Sequence, residues 1–236
     1  IFLTVSGFQA AFAVEARQPV STEGTTVPLS AADLSNLEPI TKDNIEEMRM
    51  LGRFSEGSFN EELAVSPDGI WLAVAGNGGV VVYDAKSGER EKFFPTQGAV
   101  RTLAISPDSK MIAYIEMIKS DEYFNGIVEA SLKDMRIYKP KLTVRSLSDG
   151  MLAYEIPLYG RGCGEYQAWN LQYSADNTRL VFNDTFSLIG YESANNLCVL
   201  DSGNGDLLRT ISTGGLKIRS FALSAQNPPV AWVSTV

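Results

Sequence analysis

A single phrase recurs along this chain and limits what it can fold into. Leu63-Ala-Val-Ser-Pro-Asp-Gly-Ile-Trp-Leu-Ala-Val74 returns as Leu103-Ala-Ile-Ser-Pro-Asp-Ser-Lys-Met-Ile-Ala-Tyr114. It returns again as Leu171-Gln-Tyr-Ser-Ala-Asp-Asn-Thr-Arg-Leu-Val-Phe182, and a worn copy, Phe221-Ala-Leu-Ser-Ala-Gln-Asn-Pro-Pro-Val-Ala-Trp232, follows near the end. Repeats of this length and strand content specify a modular β architecture in which each unit is completed by its neighbours.

Within the first repeat the punctuation is regular. Leu63 to Ser66 reads as a strand, and Pro67-Asp68-Gly69 as a turn with a preset φ, an Asx former and a residue tolerant of positive φ. Ile70 to Ala75 is a second strand and Gly76-Asn-Gly-Gly79 a tight hairpin turn. Val80 to Asp84 is a third strand, Lys86-Ser87-Gly88 another turn, and Glu91 to Phe94 a more polar fourth. Trp71-Leu-Ala-Val-Ala75 and Val80-Val-Val-Tyr83 barely alternate, so both faces of these strands must be covered. Sheets stacked face to face around an axis supply that cover, better than a sandwich does.

The serines of the repeats, at positions 66, 106, 174 and 224, lie 40, 68 and 50 residues apart. The first interval is a common blade length. The second places an insertion around Glu116 to Pro140, between the second and third strands of its repeat. Upstream, Thr41 to Met48 is expected to open a short helix capped by Thr41 or Asp43, with a strand over Met48–Phe54 before the first repeat.

Ser-Pro-Asp-Gly at 66–69, Val80-Val-Val-Tyr-Asp84 and Gly88 together resemble a blade of a bacterial WD-repeat-type β-propeller, as do Ser174-Ala-Asp-Asn177, Leu197-Cys-Val-Leu-Asp201 and Gly205. Pro39-Ile-Thr41 and Leu51 to Asn60 are similar to the opening of such propellers in secreted or envelope proteins. The third strands end in Tyr83-Asp84 and Leu200-Asp201 rather than Trp-Asp, and a related propeller type, found in Tol-system proteins and prolyl peptidases, is similar in its Ser-Pro-Asp-Gly turns. The resemblance implies an all-β fold of four-stranded antiparallel blades, about three full ones and a partial fourth in an incomplete ring. It also implies that the chain is an N-terminal piece of a longer protein. Residues 39–236 are assigned to this partial propeller and 14–38, rich in Ser, Thr, Pro and Ala, to a linker. Residues 1–13, apolar and ending in Ala11-Phe12-Ala13, read as a signal-peptide remnant.

Composition then narrows the chemistry. Histidine is absent, which removes His triads, His metal sites and His proton relays. With 28 acidic against 20 basic residues, the net charge of −8 argues against non-specific nucleic-acid binding. Asp201-Ser-Gly-Asn-Gly-Asp206 lacks the ligand spacing of a calcium loop and reads as a turn. Gly160-Arg-Gly-Cys-Gly164 leads into a strand, not a helix, and reads as a flexible connection rather than a phosphate cradle. No Gly-x-Ser-x-Gly elbow is present, and no cofactor, metal or catalytic residue is expected. Beyond the N-terminal apolar segment there is no span for a membrane.

The propeller resemblance implies a non-catalytic scaffold for a protein partner, located in the bacterial envelope or exterior. The other reading is the propeller of a hydrolase, prolyl-peptidase-like or lactonase-like, whose catalytic part lies outside this segment. In such a propeller Cys163 precedes the third blade and Cys198 begins its third strand. They are expected to form a disulfide at one rim, stable in an oxidising compartment. The insertion supplies candidate partner contacts in Tyr123 and Phe124. Lys133, Arg136 and Tyr138 belong to a basic stretch with Lys139, Lys141 and Arg145 that reads either as a contact surface or as a solvated hairpin face.

Overall fold

A computed structural model of the chain describes residues 11–14, 41–52, 60–123, 136–164, 167–185, 195–214, 216–226 and 231–235. These form sixteen strands. β1 (Ala11–Val14) pairs antiparallel with β2 (Met48–Gly52), and the expected helix before β2 is a single 3-10 turn, Ile45–Glu47. Thr41 accepts a hydrogen bond from the Asp43 amide there, at 3.3 Å.

Three four-stranded meanders follow. The first comprises β3 (Asn60–Val65), β4 (Trp71–Gly76), β5 (Gly79–Asp84) and β6 (Arg90–Pro95). The second comprises β7 (Ala99–Ile105), β8 (Met111–Tyr123), β9 (Arg136–Ser146) and β10 (Leu152–Pro157). The third comprises β11 (Ala168–Tyr173), β12 (Arg179–Thr185), β13 (Asn195–Asp201) and β14 (Leu207–Ser212). A last pair, β15 (Ile218–Leu223) and β16 (Ala231–Thr235), starts a fourth sheet. Among the described residues β2 pairs with β1 and not with β15 or β16.

The continuous apolar runs serve two neighbours at once. In β4 and β5, Ala73, Ala75, Val80 and Val82 face the second sheet and pack with Leu103, Ile112 and Tyr114. The intervening Leu72, Val74, Val81 and Tyr83 form a separate buried cluster on the opposite face. The second sheet divides likewise: Ile112 and Tyr114 face the first, Ala113, Ile115, Leu142 and Val144 face the third. In the third sheet Leu180, Phe182 and Leu200 face the second, whereas Val181 and Leu197 meet Ile218 and Phe221 of the fourth. Period two is therefore present as alternation between neighbours, with no wet face to reveal it.

The repeated turn is a small hydrogen-bonded unit. The Ser66 hydroxyl donates to Asp68 Oδ1 (2.5 Å) and accepts from the Trp71 amide (2.8 Å), while Asp68 accepts from the Ile70 amide (3.0 Å). Ser106 with Asp108, and Ser174 with Asp176, repeat it at 2.6 Å each. The residue after each Asp has positive φ: Gly69 at 73°, Ser109 at 60° and Asn177 at 61°. In the worn copy Gln226 stands where the carboxylate was.

Hydrogen bonds hold the carboxyls of Asp68, Asp108 and Asp176 below the ordinary range, from the neighbouring serine first; Asp176 is drawn down to about 2. Folding is thus favoured by their ionised forms. The contribution is complete above the unfolded pKa near ~4 and fades as pH falls through the folded value. Replacing the three aspartates by asparagine should flatten the acid limb of a stability–pH curve below pH ~4, measured by denaturant unfolding. An unchanged limb would show that these turns do not carry the linkage.

Candidate functional site

Inner strands β3, β7, β11 and β15 occupy equivalent repeat positions, and all four carry a ladder irregularity. It falls between Asn60 and Glu62, Val100 and Thr102, Trp169 and Gln172, and Ile218 and Ser220; in β11 it spans two unpaired residues, Asn170 and Leu171, where the others leave one. A bulge bends a strand and re-aims side chains. The first three are each followed by a residue that ties one sheet to the next. Glu62 Oε2 accepts from the Leu103 amide (2.8 Å), Thr102 Oγ1 accepts from the Leu171 amide (2.8 Å), and Gln172 Nε2 donates to the Phe221 carbonyl (2.7 Å). Burial raises the Glu62 carboxyl above its ordinary range against the hydrogen bonds from Thr102 and Leu103.

The residue two places before each repeat's Leu63, Leu103, Leu171 or Phe221 sits at or beside the bulge: Glu61, Arg101, Trp169 and Arg219. Arg101 lies over the Trp169 ring, 5.5 Å from its centroid. Between them, with Met117, Tyr138, Gln167 and Ala168, is a cavity of about 120 Å³. On the other side of Trp169 opens a cleft of about 700 Å³ reaching Asn170, Asn183, Lys217 and Arg219. Asn170 adopts positive φ (53°) and donates to Asn183 Oδ1 (2.8 Å) and the Arg219 carbonyl (3.2 Å), fixing the cleft floor. Both openings lie on the rim formed by the connections into the inner strands and by the β8–β9 hairpin. The Ser-x-Asp turns lie at the opposite rim.

Of the partner contacts expected from sequence, the structure brings Tyr138 to this site, 47% exposed. Tyr123 pairs in register with Arg136 near the end of the described hairpin. Phe124 and Lys133 lie outside the described residues. The insertion continues β8 and β9 themselves, with Glu116 paired to Lys141 and Lys119 to Tyr138. Its basic stretch is not one uniformly solvated face. Lys139 lies over Tyr159 (5.2 Å), and Lys141 bridges buried Glu116 (2.9 Å) and Glu155 (3.3 Å). Arg145 lies over Phe94 (5.3 Å) and donates to the Tyr114 hydroxyl (3.2 Å) and the Gly150 carbonyl (3.1 Å).

Glu116 anchors the root of this rim. Its Oε2 accepts from the Gln97 amide (2.8 Å) and the Gly98 amide (3.1 Å), at the entrance to β7. Glycine is required at 98, since a Cβ there would stand 2.1 Å from the Met117 carbonyl oxygen. Truncating Glu116 to alanine strips Lys141 and two amides of a buried partner, and should cost about 3 kcal/mol in chemical denaturation. A loss under ~0.5 kcal/mol, the range of ordinary surface changes, would contradict this role.

Cys163 and Cys198 form a disulfide with Cα atoms 5.9 Å apart. It is not at a rim: Cys198 lies mid-strand in β13, and both residues are buried in the core between the second and third sheets. The 158–164 connection, read from sequence as flexible, is tied down. Leu158 is buried and its amide donates to the Pro140 carbonyl (2.9 Å), and the Gly164 amide donates to Asp184 Oδ2 (2.9 Å). Because the bond engages both cysteines, the nearby Asp184 carboxylate has no thiolates with which to hold a metal. Closing a loop of separation 35, the bond is worth about 3–4 kcal/mol. Cys163→Ser/Cys198→Ser should lower the denaturation midpoint accordingly, and an unchanged midpoint would show that sheet packing alone fixes this loop.

No protein-family model matches the chain, and no curated protein matches it. Among solved structures it is similar to the crystal structure of RRP9 WD40 repeats, with a TM-score of 0.52 and 10% identity. The similarity covers 76% of this chain and 52% of that one, so the chain spans about half the length of that protein. The fold is a partial WD40-like β-propeller. Its four inner strands line the propeller's centre, and Arg101, Trp169 and Arg219, beside three of the bulges and missed by sequence reading, line the openings on one rim. The signal was present in the repeats: aligned on the leucine, the residue two places earlier reads Glu, Arg, Trp, Arg.

Proposed function

We propose that this propeller is a non-catalytic scaffold that binds a protein partner across the rim carrying Arg101, Trp169, Arg219 and the β8–β9 hairpin. The observation that carries the reading is the convergence of Arg101, Trp169, Lys217, Arg219 and Tyr138 on two openings at one rim of a rigid frame. Binding residues concentrate on such framed edges, and a central indole beside arginines is the usual composition of a contact hot spot. The extended β8–β9 hairpin widens that surface, with Tyr138 linking it to the cleft.

Export to a bacterial envelope or exterior belongs to the same proposal. The buried disulfide and the Ala11-Phe12-Ala13 pattern support it. Cleavage after Ala13 would remove most of β1, so the N-terminus of the mature protein decides between a leader and a strand.

A photo-crosslinking residue placed at Tyr138 or at Lys217 should join the same partner, whereas one at Asp149 or Gly203 on the opposite rim should not. Equal crosslinking from both rims would defeat the assignment.

A further inference from the structure

The cleft on either side of Trp169 has a charge opposite to that of the protein. Across the chain acidic residues outnumber basic ones, 28 to 20, and the net charge is −8. Yet the described lining of the two openings contains three cations, Arg101, Lys217 and Arg219, and no carboxylate. Lys217 and Arg219 are exposed and Arg101 is half-buried over the indole. Beside these charges Tyr138 and the Trp169 face offer apolar surface.

Resting on the binding-scaffold reading above, we propose that the rim cleft takes an extended acidic peptide segment: two or three carboxylates with an apolar residue seated among them. Its carboxylates meet Arg101 on one side of Trp169 and Lys217 and Arg219 on the other. Its apolar side chain lies against Trp169 and Tyr138. Guanidinium groups suit carboxylates because their N–H donors form a planar fork matching the two oxygens. A long polyanion fits less well. Exposed charges act over a Debye length of about 8 Å at physiological salt, so a short acidic segment senses mainly the cleft, whereas an oligonucleotide or anionic membrane also meets the acidic surface around it.

The test uses the 236-residue chain and four fluorescent probes: an Asp/Glu-rich octapeptide containing one leucine, its Lys-substituted counterpart, a single-stranded oligonucleotide and vesicles of anionic phospholipid. The acidic peptide should bind, weaken with added salt and lose about tenfold or more in affinity in Lys217→Glu/Arg219→Glu, whose altered residues are exposed and leave the core intact. Arg101→Glu should do the same, and Trp169→Ala should weaken binding without changing its salt dependence.

Failure of the acidic peptide to bind, binding indifferent to both reversals, or tighter binding of the oligonucleotide or the vesicles would each overturn the proposal. The broader scaffold reading is judged separately by crosslinking at Tyr138 and Lys217. A partner captured there through a neutral or basic segment sinks the acidic-peptide inference and leaves the scaffold standing. Crosslinking without preference for this rim sinks the scaffold.

Discussion

Everything in this molecule depends on sheets that are apolar on both faces. A middle strand such as β8 cannot satisfy itself within its own sheet, because Ile112 and Tyr114 need one neighbour and Ala113 and Ile115 another. Burial of that area is the main favourable term, and it is available only when sheets stack in succession. Stacking alone is slippery, since apolar contacts have no direction. The polar ties between inner strands supply register: Glu62 to the Leu103 amide, Thr102 to the Leu171 amide, Gln172 to the Phe221 carbonyl. A second set acts from outside. Phe94 of the first sheet stacks near-parallel on Tyr114 of the second, 6.5 Å away, and Arg145 closes over both by cation–π contact and hydrogen bond.

Local turn chemistry makes this stacking attainable. Each four-stranded sheet is a meander whose first turn is closed by a serine and an aspartate, and whose last hairpin needs a glycine of positive φ. Gly88, Gly150 and Gly205 fill that place at 71°, 75° and 78°. At 205 a side chain would also collide with Ile156 of the preceding blade, 2.6 Å from the Cβ position. Turn geometry thus asks for the glycine in every complete repeat, and at 205 blade packing asks for it again.

That coincidence also explains what could be read from sequence. The turns, the strand order and the two-faced strands of each blade follow from Ser-Pro-Asp-Gly, the recurring glycines and the unbroken apolar runs. The pairing of Cys163 with Cys198 was legible too, but its depth was not. Repeat alignment places Cys198 on the third strand, yet only packing shows its side chain directed into the core against Leu158 and Phe182. The helix expected after Thr41 shrinks to one 3-10 turn because β2 begins directly after Glu47. The basic stretch misleads for a different reason. Lys141 and Arg145 alternate along β9 with buried Leu142 and Val144, so they face the first-blade side of their sheet, where Glu116, Tyr114 and Phe94 engage them. One-dimensional spacing gives charge density, not which face a charge occupies.

The candidate site was harder to see because it lies where the repeat stops repeating. Positions that pack between blades are constrained alike: a large apolar residue at 63, 103, 171 and 221, and the serine of the turn in every copy. The position before the leucine is constrained by the need to reach the next strand, and Glu62, Thr102 and Asn170 each meet it with a different polar group. Two places before, beside the bulge, Glu61, Arg101 and Arg219 have no ladder partner, and the four copies read Glu, Arg, Trp, Arg, an acid, two bases and an indole. A position that the repeat does not fix can vary without altering the core. In this chain three of those four places, joined by Lys217, build a cationic and aromatic cleft on an acidic protein. Neither the turns nor the packing between blades requires that combination at any of them.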